Sequence, residues 1–318
     1  MRTKEDVIMG DRFDYDTFLE KIEIDEYEAM KYKQKFTPDV FYKYQPVGTG
    51  RMMQKRLMTI KSEQIWASRI KYLNDPFEFK MLYANQKNDE VKEFYEDVLE
   101  RNEVICLSGQ WNNKLMWSHY ADSHSGVCLE YSLNSIGKAL IYPVSYVANR
   151  QNCEKELLEW LRNKEEAINR LCNHQNLTNI QKRQMHYCGK IMFSKDIVWK
   201  YEKEYRIVTR NHLDIANDRF DAYKNQKGSI HNTEEIGLML SKIYLGMNCT
   251  EKNRELIVNA VRKANDKRLK EAIGRSKKDK LRMYHVLYDM GEIITVWEVY
   301  ADDALRLKKR KINVDLIS

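Results

Sequence analysis

The chain has 318 residues, 43% apolar and 32% charged, with 54 Lys/Arg against 47 Asp/Glu for a net charge of +7. This is an ordinary globular composition, long enough to bury a sizeable core, and 12 Gly and 4 Pro are too few for long disordered linkers. No run of eighteen apolar residues exists and no apolar segment follows the basic N-terminal residues, so neither a membrane span nor an ordinary secretory signal is expected.

Residues 1–37 read as an N-terminal helical arm, acidic overall, with Phe18, Leu19 and Ile22 on one apolar face and a break at Thr37-Pro38. An aromatic strand follows at Val40–Tyr44, ended by Pro46 and Gly48, then a helix around 50–58 and a strand at Ile65–Ser68. The turn Asn74-Asp75-Pro76 leads to Phe77-Glu78-Phe79. Residues 87–101 carry Val91, Phe94, Tyr95, Val98 and Leu99 at helical spacing. Val104–Ser108 is β-rich, Asn113–Ala121 reads as a short helix, and Gly126 turns the chain into a strand at Val127–Tyr131. Ile141–Val147 is a further strand, and helices at about 153–172 and 178–192 fill the middle. Strands return at Tyr205–Thr209, Lys242–Leu245, Met283–Tyr288 and Ile293–Val299, with a polar, loop-like segment at 211–235 and a helix at about 251–272 between them.

Strands and helices mix without regular βαβ alternation, which predicts an α+β fold: a mixed, mainly antiparallel sheet core with flanking helices. The expected organisation is one domain over 38–300 that carries the site, between the arm at 1–37 and a basic C-terminal tail at 301–318. Six scattered cysteines without a CxxC pair predict reduced thiols and a cytoplasmic protein. Residues 262–282 hold ten Lys/Arg against three acids. Such a segment is either a solvated helix face or a surface for an anionic partner, a nucleic acid or protein target.

Three polar motifs stand out. In Asn74-Asp75-Pro76-Phe77-Glu78 the proline forces Asp75 out of the helical region. The motif is then either an Asx-turn between strand and helix or a carboxylate facing a cleft. In Leu115–Gly126, Trp117, Tyr120 and, one residue out of phase, His124 fall near one helix face. An imidazole here can serve as acid, base or ligand, or simply pack the turn as a buried, hydrogen-bonded ring. His119, His124 and Cys128 match no standard zinc spacing. In Val198–Val208, an extended strand would place Glu202, Glu204 and Arg206 on one face, as a structural ion pair or as a ligand-binding row. Cys106 and Cys128 lie in strands and read as packed thiols.

Together these motifs resemble a large prokaryotic family of unknown function. Its pattern is met by Tyr42-Lys43-Tyr44, Trp66–Ser68, Asn74–Glu78, Cys106–Ser108, Trp117–Ala121 with His124–Cys128, and Trp199–Arg206, over roughly residues 40–250. The order of elements further resembles ADP-ribosyltransferases, including toxins that modify DNA and RNA. They use a basic residue or His on the first strand, a Ser or Tyr in the middle, and a Glu-x-Glu or lone Glu opening a late strand. The resemblance implies NAD as substrate, no metal, and a toxin or phage-defence role. It implies catalytic Glu204, Glu202, Tyr120 and His119, and NAD-binding Lys43, Tyr44, Ser68, Asn74, Asp75, Ser108, Trp117 and Arg206. This chain departs from that pattern in carrying Lys43 on the first strand and in lacking a Ser-Thr-Ser element. Two other functional readings stay open, beside a wholly structural one. One is a phosphate-directed hydrolase or nuclease using Asp75, Glu78, His119 and Glu204. The other is a non-catalytic nucleotide- or nucleic-acid-binding module using Arg206, Trp117 and His119.

Overall fold

The computed structural model describes residues 12–75, 79, 82–83, 88–210, 226–271, 281–289, 292–301 and 307–312. In chain order its strands are β1 (Val40–Gln45), β2 (Gln64–Arg69), β3 (Leu82–Tyr83), β4 (Asn102–Ser108), β5 (Val127–Leu133), β6 (Ile141–Pro143), β7 (Ser145–Val147) and β8 (Gln151–Asn152), then β9 (Ser194–Asp196), β10 (Glu204–Arg210), β11 (Gly228–Asn232), β12 (Leu238–Leu245), β13 (Arg282–Asp289), β14 (Glu292–Ala301) and β15 (Leu307–Ile312). The fold is α+β, with mostly antiparallel strand pairing and flanking helices. The chain divides into two compact units: 1–38, 67–105 and 140–229 form the first, and 39–66, 106–139 and 230–318 the second.

In the first unit the segment expected as one helical arm is two helices, Tyr15–Ile24 and Glu26–Lys35. Asp25 separates them because its extended backbone ends the first, while its carboxylate accepts from Tyr27 N and starts the second. Phe18, Leu19 and Ile22 are buried as their spacing predicts. Tyr15 lies over Phe193 and donates to the His186 carbonyl at 3.0 Å, which ties the helix to helix Asn179–Lys190. Lys190, itself buried, completes that tie by pairing with Asp16 at 2.6 Å. Short strand pairs complete the unit: β6 with β10 antiparallel, β7 with β9 parallel, β3 with β8 parallel, and β2 with β4 antiparallel at Ser68 and Arg69. Helix Glu154–Cys172 buries Leu157, Leu161 and Ala167 along one stripe.

In the second unit the sheet runs from the end of β4 through β1, β5, β12, β13 and β14 to β15. β1 is antiparallel to both neighbours, with Tyr42 opposite Ser108 on β4 and opposite Glu130 on β5. β12 and β13 pair in parallel, which requires a crossover, and helix Glu251–Glu271 supplies it. Apolar residues of β5 and β12, among them Val127, Leu129, Ile243 and Leu245, form the core.

Other elements also differ from the sequence reading; the strand expected at Ile141–Val147 is two, β6 paired to β10 and β7 paired to β9. Residues 228–232, inside a segment that reads as loop, form β11; residues 211–225 lie outside the described residues. Residues 307–312, inside the basic tail, form β15 paired to β14, where Arg310 meets Glu298 at 2.6 Å. Residues 198–203 are not extended: Asp196 accepts from Val198 N and starts a 3-10 turn at Ile197–Glu202, and Lys203 at φ 44° reverses the chain into β10.

Candidate functional site

The first unit gathers four charged side chains in its interior. β9 sets Lys195 beside Tyr146 of β7, and β10 starts at Glu204, whose backbone N–H donates to the Tyr146 hydroxyl at 2.8 Å. The 3-10 turn and the left-handed Lys203 bring Glu202 back toward the start of β10. Both carboxylates therefore reach one ammonium: Lys195 Nζ donates to Glu202 Oε2 at 2.6 Å and to Glu204 Oε2 at 2.9 Å. Arg206 grips Glu204 in bidentate fashion, Nε to Oε1 at 2.8 Å and Nη2 to Oε2 at 3.1 Å. Its Nη1 donates to the Met192 carbonyl at 2.6 Å, and its guanidinium lies 5.0 Å from the centre of the Phe79 ring.

All four of these residues are buried, Arg206 completely. Two anions and two cations balance, as interior charges must. Burial by itself pushes the Glu204 carboxyl up, but Arg206 and then Lys195 outweigh it and hold the pKa well below the ordinary carboxylate range. Burial, with Glu204 next, raises the Tyr146 phenol, so Tyr146 stays protonated.

A second constellation lies in the second unit. Glu130 is 3% exposed within the apolar run of β5 and accepts from Tyr244 Oη at 2.6 Å and Ser241 Oγ at 2.7 Å, with Lys242 Nζ at 3.3 Å. Burial and then Glu130 raise the pKa of the Tyr42 and Tyr244 phenols, which therefore remain donors. Trp111 stacks on Tyr244 with centroids 4.8 Å apart.

Nearby in sequence, Trp117 on helix Lys114–Tyr120 is fully buried and donates from Nε1 to the Trp111 carbonyl at 2.8 Å. Tyr44 meets Trp117 edge-on at 5.3 Å, and its hydroxyl donates to the Gln110 carbonyl at 2.9 Å. His124 folds back to stack on Trp117 at 6.2 Å and meets Ser118 Oγ at 3.2 Å through Nε2. This return uses three consecutive left-handed residues, Asp122, Ser123 and His124, at φ 50°, 51° and 66°. Such a run of non-glycine residues stands only where the surroundings fix it. Here Asn248 N donates to the His124 carbonyl at 2.9 Å, and Asn248 Nδ2 to the Ser123 carbonyl at 3.0 Å. Burial lowers the His124 pKa, so its ring is neutral at pH 7.

The residues singled out from sequence thus fall in two groups. Glu202, Glu204 and Arg206 share the first-unit cluster. Ser68 on β2, the exposed Asn74 and the half-buried Asp75 belong to the same unit, and Pro76, Phe77 and Glu78 lie outside the described residues. In the second unit Tyr44 and Trp117 touch. Ser108 is buried, and its hydroxyl donates to the Gln110 carbonyl at 3.2 Å. Lys43, half-buried on β1, donates to the Cys106 carbonyl at 3.4 Å. His119 is exposed beside the half-buried Tyr120, their rings 6.3 Å apart.

Sequence reasoning missed Lys195, Tyr146 and Glu130. Lys195 and Tyr146 carry no pattern of their own. Glu130 did carry a signal, a lone acid inside an apolar strand run, which marks a buried and partnered charge. Among the described residues no group of three His, Cys, Asp or Glu side chains is placed to hold a metal ion.

Residues 116–207 match the model of a family described as a protein of unknown function, DUF2971. That span includes the Trp117–His124 turn, Glu130, Lys195 and the Glu202–Arg206 motif. No curated protein matches the chain. No solved structure matches it either.

Proposed function

We propose that the protein cleaves NAD at the nicotinamide–ribose bond and transfers ADP-ribose to a nucleic-acid or protein acceptor, with Glu204 as the carboxylate that faces the developing positive charge. The observation that carries this reading is the pairing of the buried Glu204 carboxylate with two cations, Arg206 at 2.8 and 3.1 Å and Lys195 at 2.9 Å. An oxocarbenium-like transition state is stabilised by a carboxylate that stays ionised throughout, and Arg206 and Lys195 keep Glu204 ionised. The same state makes Glu204 a poor general acid or base near neutrality, where catalytic groups of that kind need a pKa near the working pH. It therefore favours the electrostatic role over acid–base hydrolysis at this residue.

For substrate to use the Glu204 charge, one of its two cations has to yield. Lys195 is that cation, because its ammonium is shared with Glu202 on a flexible stem. Arg206 is held in place by the Met192 carbonyl and the Phe79 ring. Once released from Lys195, Glu202 is the carboxylate two residues away that takes the acceptor's proton.

The test is nicotinamide release and label transfer from NAD carrying label on the adenylate, with nucleic-acid and protein fractions as acceptors. Glu204→Gln and Glu202→Gln run in parallel, each shown by circular dichroism to be folded at the assay temperature. The expected result is turnover by the unaltered protein, reduced about 10²–10³-fold in Glu204→Gln, the range for removing one preorganised electrostatic group. Absence of turnover with every acceptor, or an unchanged rate in folded Glu204→Gln, removes the proposal.

A further inference from the structure

One cavity of the second unit, about 290 Å³, is built on fixed parts. Its floor is Glu63, which ends helix Gly50–Ser62 in the left-handed conformation at φ 52°. Arg268 holds the Glu63 carboxylate through Nε at 2.8 Å and Nη2 at 2.6 Å, and also donates to the Leu240 carbonyl at 2.6 Å. Thr233 Oγ1 donates to the Glu63 carbonyl at 2.8 Å. Four chain segments meet at this floor, and its buried charge is neutralised from within by Arg268.

The walls present oriented polar groups. Asn134 Oδ1 accepts from Gly137 N at 3.0 Å, and Asn232 Oδ1 accepts from Glu234 N at 3.1 Å. Because backbone donors fix each amide oxygen, the Nδ2 end of each is assigned as the outward donor. Gly237, at φ 70°, packs against this wall so closely that a Cβ would lie 2.0 Å from Gly137 N and 2.3 Å from Asn134 Oδ1. At the rim, Lys267 joins the cavity to an adjoining concavity lined by Lys61, Lys263, Asp266, Lys267 and Lys270. Lys263, Lys267 and Lys270 share one helix face, whereas Arg268 points inward to Glu63.

We infer that this cavity binds a sugar phosphate, with the hydroxyl groups on Asn134, Asn232 and Glu234 and the phosphate on the lysine rim. Hydroxyl groups both donate and accept, and two fixed amide donors beside a carboxylate acceptor match them. Four lysines against one aspartate favour a phosphate at the rim. The described lining contains no aromatic ring, which makes the cavity suited to a sugar rather than to a stacked nucleobase. The sugar phosphate has two sources, a free pentose phosphate or the backbone of a nucleic acid, and titration separates them.

The full-length protein, without NAD, is titrated by calorimetry with ribose 5-phosphate, ribose, inorganic phosphate, and short single-stranded oligouridylate and oligothymidylate. Ribose 5-phosphate is expected to bind at least about tenfold more tightly than ribose or phosphate, with Lys267→Gln and Asn134→Ala each weakening it about tenfold, one good charged or polar contact. An oligonucleotide that outcompetes ribose 5-phosphate at this site assigns the sugar phosphate to a nucleic-acid backbone, and one that does not assigns it to the free compound. Lys267 also lies in the last turns of its helix, where a cation offsets the carbonyl dipole. If Lys267→Gln only lowers the melting temperature, and both variants keep full affinity, the inference is overturned. It is equally overturned if ribose 5-phosphate binds no better than phosphate. Because NAD is absent from this experiment, its failure leaves the NAD proposal standing, and a failed NAD assay leaves this one standing.

Discussion

Replacing Glu204 by Gln keeps the shape of the side chain and removes one of four buried charges. Arg206 then loses the anion that it holds through two hydrogen bonds, and Lys195 keeps Glu202 but not Glu204. The cluster is left with two cations and one anion. Breaking a buried pair from one side costs about 3–5 kcal/mol, because the surviving charge has no solvent to turn to. For a chain of this size that corresponds to roughly 4–8 °C in melting temperature.

The charge-balanced double variant Glu204→Gln, Lys195→Met removes one charge of each sign and leaves Arg206 and Glu202. Its cost is therefore expected to fall short of the sum of the two single costs by about 1–3 kcal/mol of coupling. The pH dependence has a definite sign. Arg206 and Lys195 depress the folded pKa of Glu204 against the opposing effect of burial, so its contribution is fully present above the unfolded glutamate value of about 4.3 and is lost as pH falls below that toward the folded value. The stability gap between the unaltered protein and Glu204→Gln should be constant from pH 8 to 5 and shrink below about pH 4. Urea unfolding followed by circular dichroism at several pH values measures it. A gap under about 1 kcal/mol at pH 7, or one that widens in acid, would refute the buried-network account.

Lys33 is buried over the Tyr142 ring, and desolvation lowers its pKa to about 8, so below that value it carries a charge the interior disfavours. Lys33→Met should therefore stabilise the protein at pH 7 by on the order of 1–3 kcal/mol, with the advantage fading as pH rises from 8 to 10.5; urea midpoints at pH 7 and 10 compare the two, and equal midpoints at pH 7 would count against it. Gly246→Ala would place a Cβ 2.1 Å from the His124 carbonyl oxygen and force apart the Gly126, His124 and Gly246 backbones. It should cost roughly 1–3 kcal/mol, the scale of overpacking, and change the fluorescence of Trp117 as His124 leaves its ring; a spectrum and urea midpoint identical to those of the unaltered protein would show that the left-handed turn is not fixed by this contact.

Much of the fold was legible because burial leaves a periodic trace. Val91, Tyr95 and Val98 mark helix Asp89–Arg101 by spacing, and Val127–Tyr131 reads as a strand because its apolar run is too short for a helix. β15 was not legible, since Leu307–Ile312 is mostly basic. It pairs as the edge strand next to β14, where lysines and arginines are tolerated because they reach water. β11 was hidden for a related reason: Gly228–Asn232 is polar and half exposed, and its pattern does not differ from that of a loop.

The candidate site shows why a motif can be read correctly in its residues and wrongly in its geometry. Alternation along one strand brings Glu202, Glu204 and Arg206 to a common face, but the chain reaches that convergence by another route. Asp196 caps a 3-10 turn, Lys203 takes a left-handed conformation, and only Glu204 and Arg206 share a strand. Had residues 198–208 been one strand, Glu202 and Glu204 would stand side by side as like charges, and one of them would be driven toward the protonated state. With the turn in place, Lys195 sits between the two carboxylates at 2.6 and 2.9 Å. The ion that pairs with both acids of the Glu-x-Glu motif therefore comes from seven residues before it, on another strand. A lysine held between the two acids rests on that arrangement, because the turn at Ile197–Glu202 returns Glu202 to the side of Glu204 that faces β9.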